Sequence, residues 1–232
     1  MNALALTCCL LLAPQAELRY DPTENYQPRK IEGFRVYVNK RLLREKKDLS
    51  KRALALLRVK LYDINRVVPE PALQQLHKVR IWMEIEDERH PCACYHPSRE
   101  WLKENGYNPE KAGSVDIANA ANFLTWTRDQ PYMVLHELAH AYHHQVLGYD
   151  NPDIKEAYKR AVEGGSYESV LRAHGKMARA YALNNDQEYF AELTEAFFGT
   201  NDFYPFVRAE VFQHDPFMYE TLKKLWKEVP GD

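Results

Sequence analysis

Apolar and polar positions alternate over residues 33–39 (GFRVYVN), and this period of two predicts a β-strand. From Lys40 to Val67 the period lengthens. Leu43, Leu54, Leu56, Leu57, Leu61 and Ile64 form a broad apolar stripe that predicts one long helix, stopped by Pro69 and Pro71. Alternation returns over residues 78–85 (KVRIWMEI), a second strand. Residues 86–112 carry no clear period and read as loop, with a short helix around Ser98 to Asn105. Residues 113–123 (GSVDIANAANF) read as a third strand, an edge onto which an extended peptide could add.

Helical periods dominate from there on. Residues 131–147 give the strongest helix, with Asp129 or Gln130 to cap it, Pro131 in its first turn and Gly148 at its end. Residues 153–163 form a further amphipathic helix. Tyr167 to Leu183 reads as two short strands around His174-Gly175-Lys176, with a helix as the alternative. Asn185 to Gly199 is a helix, and two more helical segments fall near 205–212 and 215–228. Strands and a helix first, then mostly helices, predict an α+β fold. We expect one domain from residue 17 to 232, with a sheet lobe over about 30–148 and a helical lobe over about 149–232.

The first sixteen residues, MNALALTCCLLLAPQA, break this pattern. The apolar run from Leu4 to Ala13 is too short to span a bilayer, and small residues follow at Ala13 and Ala16. The segment reads as a secretory signal peptide lacking the usual basic start, so the chain is expected to be secreted or periplasmic. A lipoprotein anchored through Cys8 is the alternative, although the run before that cysteine is very short.

A formal net charge of −2, with no long run of one sign, argues against nucleic acid and against a stable membrane partner. Beyond the leader only Cys92 and Cys94 remain, too few for a disulfide framework. They sit in His90-x-Cys92-x-Cys94-x-His96, which would place four metal donors on one side of an extended strand. Such tight alternation is not an established zinc pattern, and a loop with two thiols, oxidised to each other outside the cytoplasm, is the plainer reading.

The segment that concentrates chemistry is HELAH, residues 136–140. On a helix, positions i and i+4 share a face, so His136 and His140 can hold one ion. Glu137 is turned about 100° from His136 and stands beside the ion, where a general base is needed. Zinc lowers the pKa of its water to about 7, and a neighbouring carboxylate can carry the proton to a leaving amine. Two histidines do not complete a catalytic zinc site, so a third ligand must come from elsewhere.

Three sources exist. His143 or His144 lies on the same helix, but the extended pattern H-E-x-x-H-x-x-G-x-x-H fails here, because His143 stands at the Gly position and Val146 at the last His position. His174 lies in the predicted turn. The helix NNDQEYFAELTEAFFG aligns Glu188, Glu192 and Glu195 on one face, with Tyr189, Phe190, Leu193 and Phe197 over most of the rest. Carboxylates on a helix so largely buried need a compensating charge, which a metal and its histidines would provide. This favours Glu188, set against a capping-box position after Asn185. For Glu192 and Glu195 the plain alternative is a solvated stripe.

HELAH followed by Tyr181-Ala-Leu-Asn-Asn-Asp-Gln-Glu188-Tyr-Phe-Ala-Glu192 resembles the zinc-peptidase domain of the anthrax toxin lethal factor family, within the gluzincins. The likeness covers roughly residues 113–200 and is specific only in these two segments. It implies a zincin-like fold, a zinc ion held by His136, His140 and Glu188, and Glu137 as general base. It also implies that Glu192 orients a ligand histidine and that Tyr181 stabilises the oxyanion. The toxin's delivery and docking parts have no counterpart, so its targets do not carry over. A peptide or protein substrate is expected. A zinc hydrolase of a non-peptide amide, as in a cell-wall polymer, and an inactive binding module on the same scaffold are the rivals.

Overall fold

A computed structural model of the chain describes residues 20–87 and 89–227. The leader read from the sequence lies outside the described residues. Among those residues no helix is long and apolar enough to cross a membrane.

The N-terminal part is built on a five-stranded mixed sheet of order β1-β2-β3-β5-β4. Strands β1 (Tyr26–Ile31) and β2 (Phe34–Asn39) form an antiparallel hairpin, β3 (Arg80–Met83) and β5 (Ser114–Ile117) run parallel to β2, and β4 (Ala93–His96) pairs antiparallel with β5. In β2 the alternation is as the sequence predicts, with Phe34, Val36 and Val38 wholly buried. Strand β1 precedes the alternating segment read from the sequence. Its four central residues are exposed, and Pro28 is tolerated because β1 is an edge. Glu32 and Gly33 close the hairpin at φ of 47° and 91°. At Gly33 a Cβ would also lie 2.7 Å from the His77 ring, so both the turn and the packing require glycine.

The long helix expected over 40–67 is two helices, α1 (Lys40–Glu45) and α2 (Lys47–Val67), broken at Lys46 with φ −127° and ψ 53°. The buried face of α2 carries Ala53, Leu57, Leu61 and Ile64, while Leu43 on α1 and Leu54 and Leu56 on α2 lie at its margins. Pro69 and Pro71 end α2 but also start a helix, α3 (Glu70–Leu76), because proline suits a first turn. Helix α4 (Arg99–Glu104) occupies the predicted position, with Ser98 as its cap.

Two expectations near the sheet edge are corrected. The third strand stops at Ile117, and Asn119 caps a helix, α5 (Ala120–Trp126), where strand had been expected. Nor is it the edge. Strand β4, from the stretch that read as loop, pairs along its outer side and takes that place. Backbone pairing creates this strand, since its four residues flanked by Pro91 and Pro97 carry no hydrophobic period of their own.

The C-terminal part is mostly helical. Helix α6 (Met133–Tyr142) carries HELAH and continues as a π-helical turn, His143–Leu147, ended by Gly148. It starts two residues after Pro131 and has no side-chain cap, so neither Asp129 nor Gln130 caps it as expected. Then come α7 (Pro152–Gly164), the short hairpin β6 (Val170–Leu171) and β7 (Met177–Ala178), a 3-10 turn at Tyr181–Leu183, and α8 (Asp186–Phe198). Helices α9 (Arg208–His214) and α10 (Pro216–Leu225) close the chain. Helix α8 crosses α6 through its apolar surface, and Trp226 locks the crossing by stacking on Tyr142 at 4.3 Å and on Phe190 at 5.8 Å.

Candidate metal centre

Helices α6 and α8 bring the candidate residues together. His136 and His140 share the inward face of α6, and Glu188 projects from the first turn of α8. His136 Nε2 lies 3.1 Å from Glu188 Oε2 and 3.1 Å from His140 Nε2, and His140 Nε2 lies 3.2 Å from Glu188 Oε2. The side chains of His136, His140 and Glu188 keep only 11%, 12% and 19% of their surface exposed. Asn185 accepts the backbone N–H of Glu188 at 2.8 Å, so the capping geometry is present. The Glu188 carboxylate nevertheless turns to the histidines.

The far side of His136 fixes its orientation. Its Nδ1 is 2.8 Å from Glu195 Oε1 and 3.7 Å from Glu192 Oε1. The resemblance gave this place to Glu192, but it is Glu195 that makes the hydrogen bond. Glu192 instead accepts from Asn201 Nδ2 at 3.2 Å. Both carboxylates are 3% exposed and not a solvated stripe. With Nδ1–H donated to Glu195, the neutral His136 ring would turn the lone pair of Nε2 to the cleft.

Electrostatics follow from this packing. Burial alone would lower His136, but its hydrogen bonds to Glu188 and Glu195 outweigh it and hold the ring well above its ordinary value. Burial would raise Glu188, yet the hydrogen bonds from His136 and His140 bring it far below the usual carboxylate range. Burial pushes Glu192 and Glu195 up, and the Glu195 charge adds to the rise at Glu192. Two imidazole nitrogens and a carboxylate oxygen in mutual contact carry more lone pairs than protons, an arrangement that a cation relieves. Donors on a tetrahedral zinc ion at about 2.0–2.1 Å stand roughly 3.3–3.4 Å apart, close to the spacing here. The donor set and its spacing therefore fit a zinc ion.

A cleft of about 250 Å³ opens on these donors, walled by β4 (Ala93, Cys94, Tyr95) and by Glu137 and Tyr181. It adjoins a second hollow of about 370 Å³ that also reaches His136, Glu137 and Tyr181. The Tyr181 ring centre is 6.4 Å from that of His136. Burial raises the Tyr181 phenol, helped by the Glu188 charge, so the group keeps its proton.

The other candidate ligands lie apart. His143 is wholly buried against Tyr149 and Phe190, with neither ring nitrogen hydrogen-bonded. His144 Nδ1 sits 2.7 Å from the Tyr95 hydroxyl. His174 lines a separate hollow with Trp126 and Arg172. Cys92 and Cys94 are both free thiols, not joined to each other, and Cys92 turns away to Met133 Sδ at 3.6 Å. No family model, curated protein or solved structure matches the chain.

Proposed function

We propose that the chain is a secreted or periplasmic zinc-dependent peptidase of zincin-like architecture, with His136, His140 and Glu188 as the metal ligands. The observation that carries the reading is the convergence of their three donor atoms, at 3.1–3.2 Å, on a cleft that Glu137 and Tyr181 also line. A bound zinc ion would supply a Lewis acid and a coordinated water with a pKa near 7. Glu137 lies one residue beyond His136, about 100° round the helix, so it borders the donors without joining them. There its carboxylate takes the proton of the attacking water and delivers it to the leaving amine nitrogen. The Tyr181 phenol donates a hydrogen bond to the carbonyl oxygen as that oxygen gains charge. Glu195 holds the His136 ring so that Nε2 stays turned to the cleft.

A peptide is favoured over other amides by strand β4, which forms both the outer edge of the sheet and one wall of the cleft. Its free edge offers backbone N–H and C=O groups to an extended chain. The test is hydrolysis of a peptide library by the zinc-loaded protein. Glu137→Gln should bind zinc as the wild type does and lose at least about 100-fold in kcat/KM. Unimpaired hydrolysis by that variant refutes the mechanism.

A further inference from the structure

A second cluster of side chains that could hold a metal lies around β4, the strand that walls the cleft. Cys94 and His96 alternate along β4 and so project from the same face of the sheet. Asp116 sits directly opposite Cys94 on β5 and shares that face. His90 reaches the group from the loop between β3 and β4, its ring centre 5.6 Å from that of His96. Donor atoms of His90, Cys94 and His96 all lie within 4.8 Å of one another. Cys94 Sγ is 3.5 Å from His96 Nε2, and a thiolate and an imidazole on one tetrahedral zinc ion stand about 3.6 Å apart.

The surroundings leave this cluster unfinished as a purely protein network. Asp116, 1% exposed, meets His96 Nε2 at 3.4 Å and Lys111 through Oδ2, but its Oδ1 and His90 Nε2 are shut off from water without a hydrogen-bond partner. Such orphaned polar atoms are rare and costly. Charge points the same way. The buried Lys111 ammonium lies 2.5 Å from Glu84 and 2.6 Å from Asp116, which leaves one net negative charge among these three groups. A Cys94 thiolate would make two, and one divalent cation balances them.

The geometry points to a second metal site, in which His90, Cys94 and His96 hold one zinc-class divalent cation and Asp116 completes its charge. A mixed thiolate and imidazole set selects zinc over calcium or magnesium. Binding is a ligand exchange with no redox change: the Cys94 S–H proton passes to solvent and the thiolate sulfur bonds the ion. The ion would tie His90 to β4 and so stiffen the strand that walls the cleft.

Cobalt(II) separates this site from the one on α6 and α8, because only this one contains sulfur. The chelator-stripped protein loaded with cobalt should show a near-ultraviolet thiolate-to-cobalt charge-transfer band. Cys94→Ser should abolish the band, while Cys92→Ser and Glu188→Ala keep it. His90→Ala, in a loop outside the sheet, should weaken cobalt binding at this site about 10-fold or more without dependence on how the strand folds. Zinc content should be two per chain in the wild type and one in Cys94→Ser. Absence of the band in wild-type protein fully loaded with cobalt overturns the proposal, as does loss of the band in Cys92→Ser with its retention in Cys94→Ser. Either result leaves the His136, His140 and Glu188 site standing.

Discussion

Replacing Glu195 by alanine should weaken zinc binding at the α6–α8 site more than the same change at Glu192, although both side chains are buried beside His136. Glu195 Oε1 lies 2.8 Å from His136 Nδ1, a full hydrogen bond, whereas Glu192 Oε1 lies at 3.7 Å, beyond hydrogen-bonding range. Loss of such a partner costs a metal site about 10- to 100-fold in affinity, or roughly 1.4–2.7 kcal/mol. Glu195→Ala is therefore expected to fall in that range. Glu192→Ala should stay within about 3-fold, because its own hydrogen bond runs to Asn201 and not to the ligand. Glu195→Gln should lie between them, since the amide oxygen still accepts from Nδ1–H but brings no charge. Competition with a chromophoric zinc chelator reads these constants, with Glu188→Ala marking the affinity of any other site and circular dichroism checking the fold. A larger loss for Glu192→Ala than for Glu195→Ala would refute the argument that the 2.8 Å contact orients His136.

Other consequences follow from single groups. Tyr181→Phe should lower kcat about 100-fold or more while zinc content stays unchanged, and an unaltered kcat would remove the phenol from the reaction. Burial pushes His143 from 6.5 down to about 4, so between those values the unfolded chain holds a proton there that the folded chain does not. Its contribution is complete above pH 6.5 and is lost as pH falls toward 4, on the order of 3 kcal/mol in total. Denaturation of the metal-free protein across this range should show a shallower pH dependence in His143→Leu than in the wild type, and equal slopes would contradict the assignment.

Much of the site was legible because helical spacing is local. His136, His140 and Glu137 take their places from the period of one helix, and the burial of α8 marked its carboxylates as needing a partner. The choice between Glu192 and Glu195 was not legible. The two lie one turn apart or less, and which one meets His136 depends on how α8 crosses α6, where Tyr142 and Phe190 stack on Trp226 from far along the chain. The sheet shows the same division. Strand β2 announces itself by alternation, whereas β4 exists through its pairing with β5 and carries polar residues that read as loop. The apolar run around Asn119 suited strand as well as helix, and the cap that decides for helix was not read from the sequence. At Pro69 and Pro71 the same residues that stop one helix begin the next. His90, Cys94 and His96 were visible as a pattern, but their grouping with Asp116 depends on cross-strand register, and Cys92 drops out because β4 starts only at Ala93.

The most direct test of the central claim is the zinc content of the purified protein and of Glu188→Ala, measured side by side by plasma mass spectrometry. The variant should hold one zinc ion per chain fewer than the wild type while keeping its fold. Equal zinc content in the two, with the affinity unchanged, would contradict the assignment of Glu188 as the third ligand and with it the centre built on HELAH.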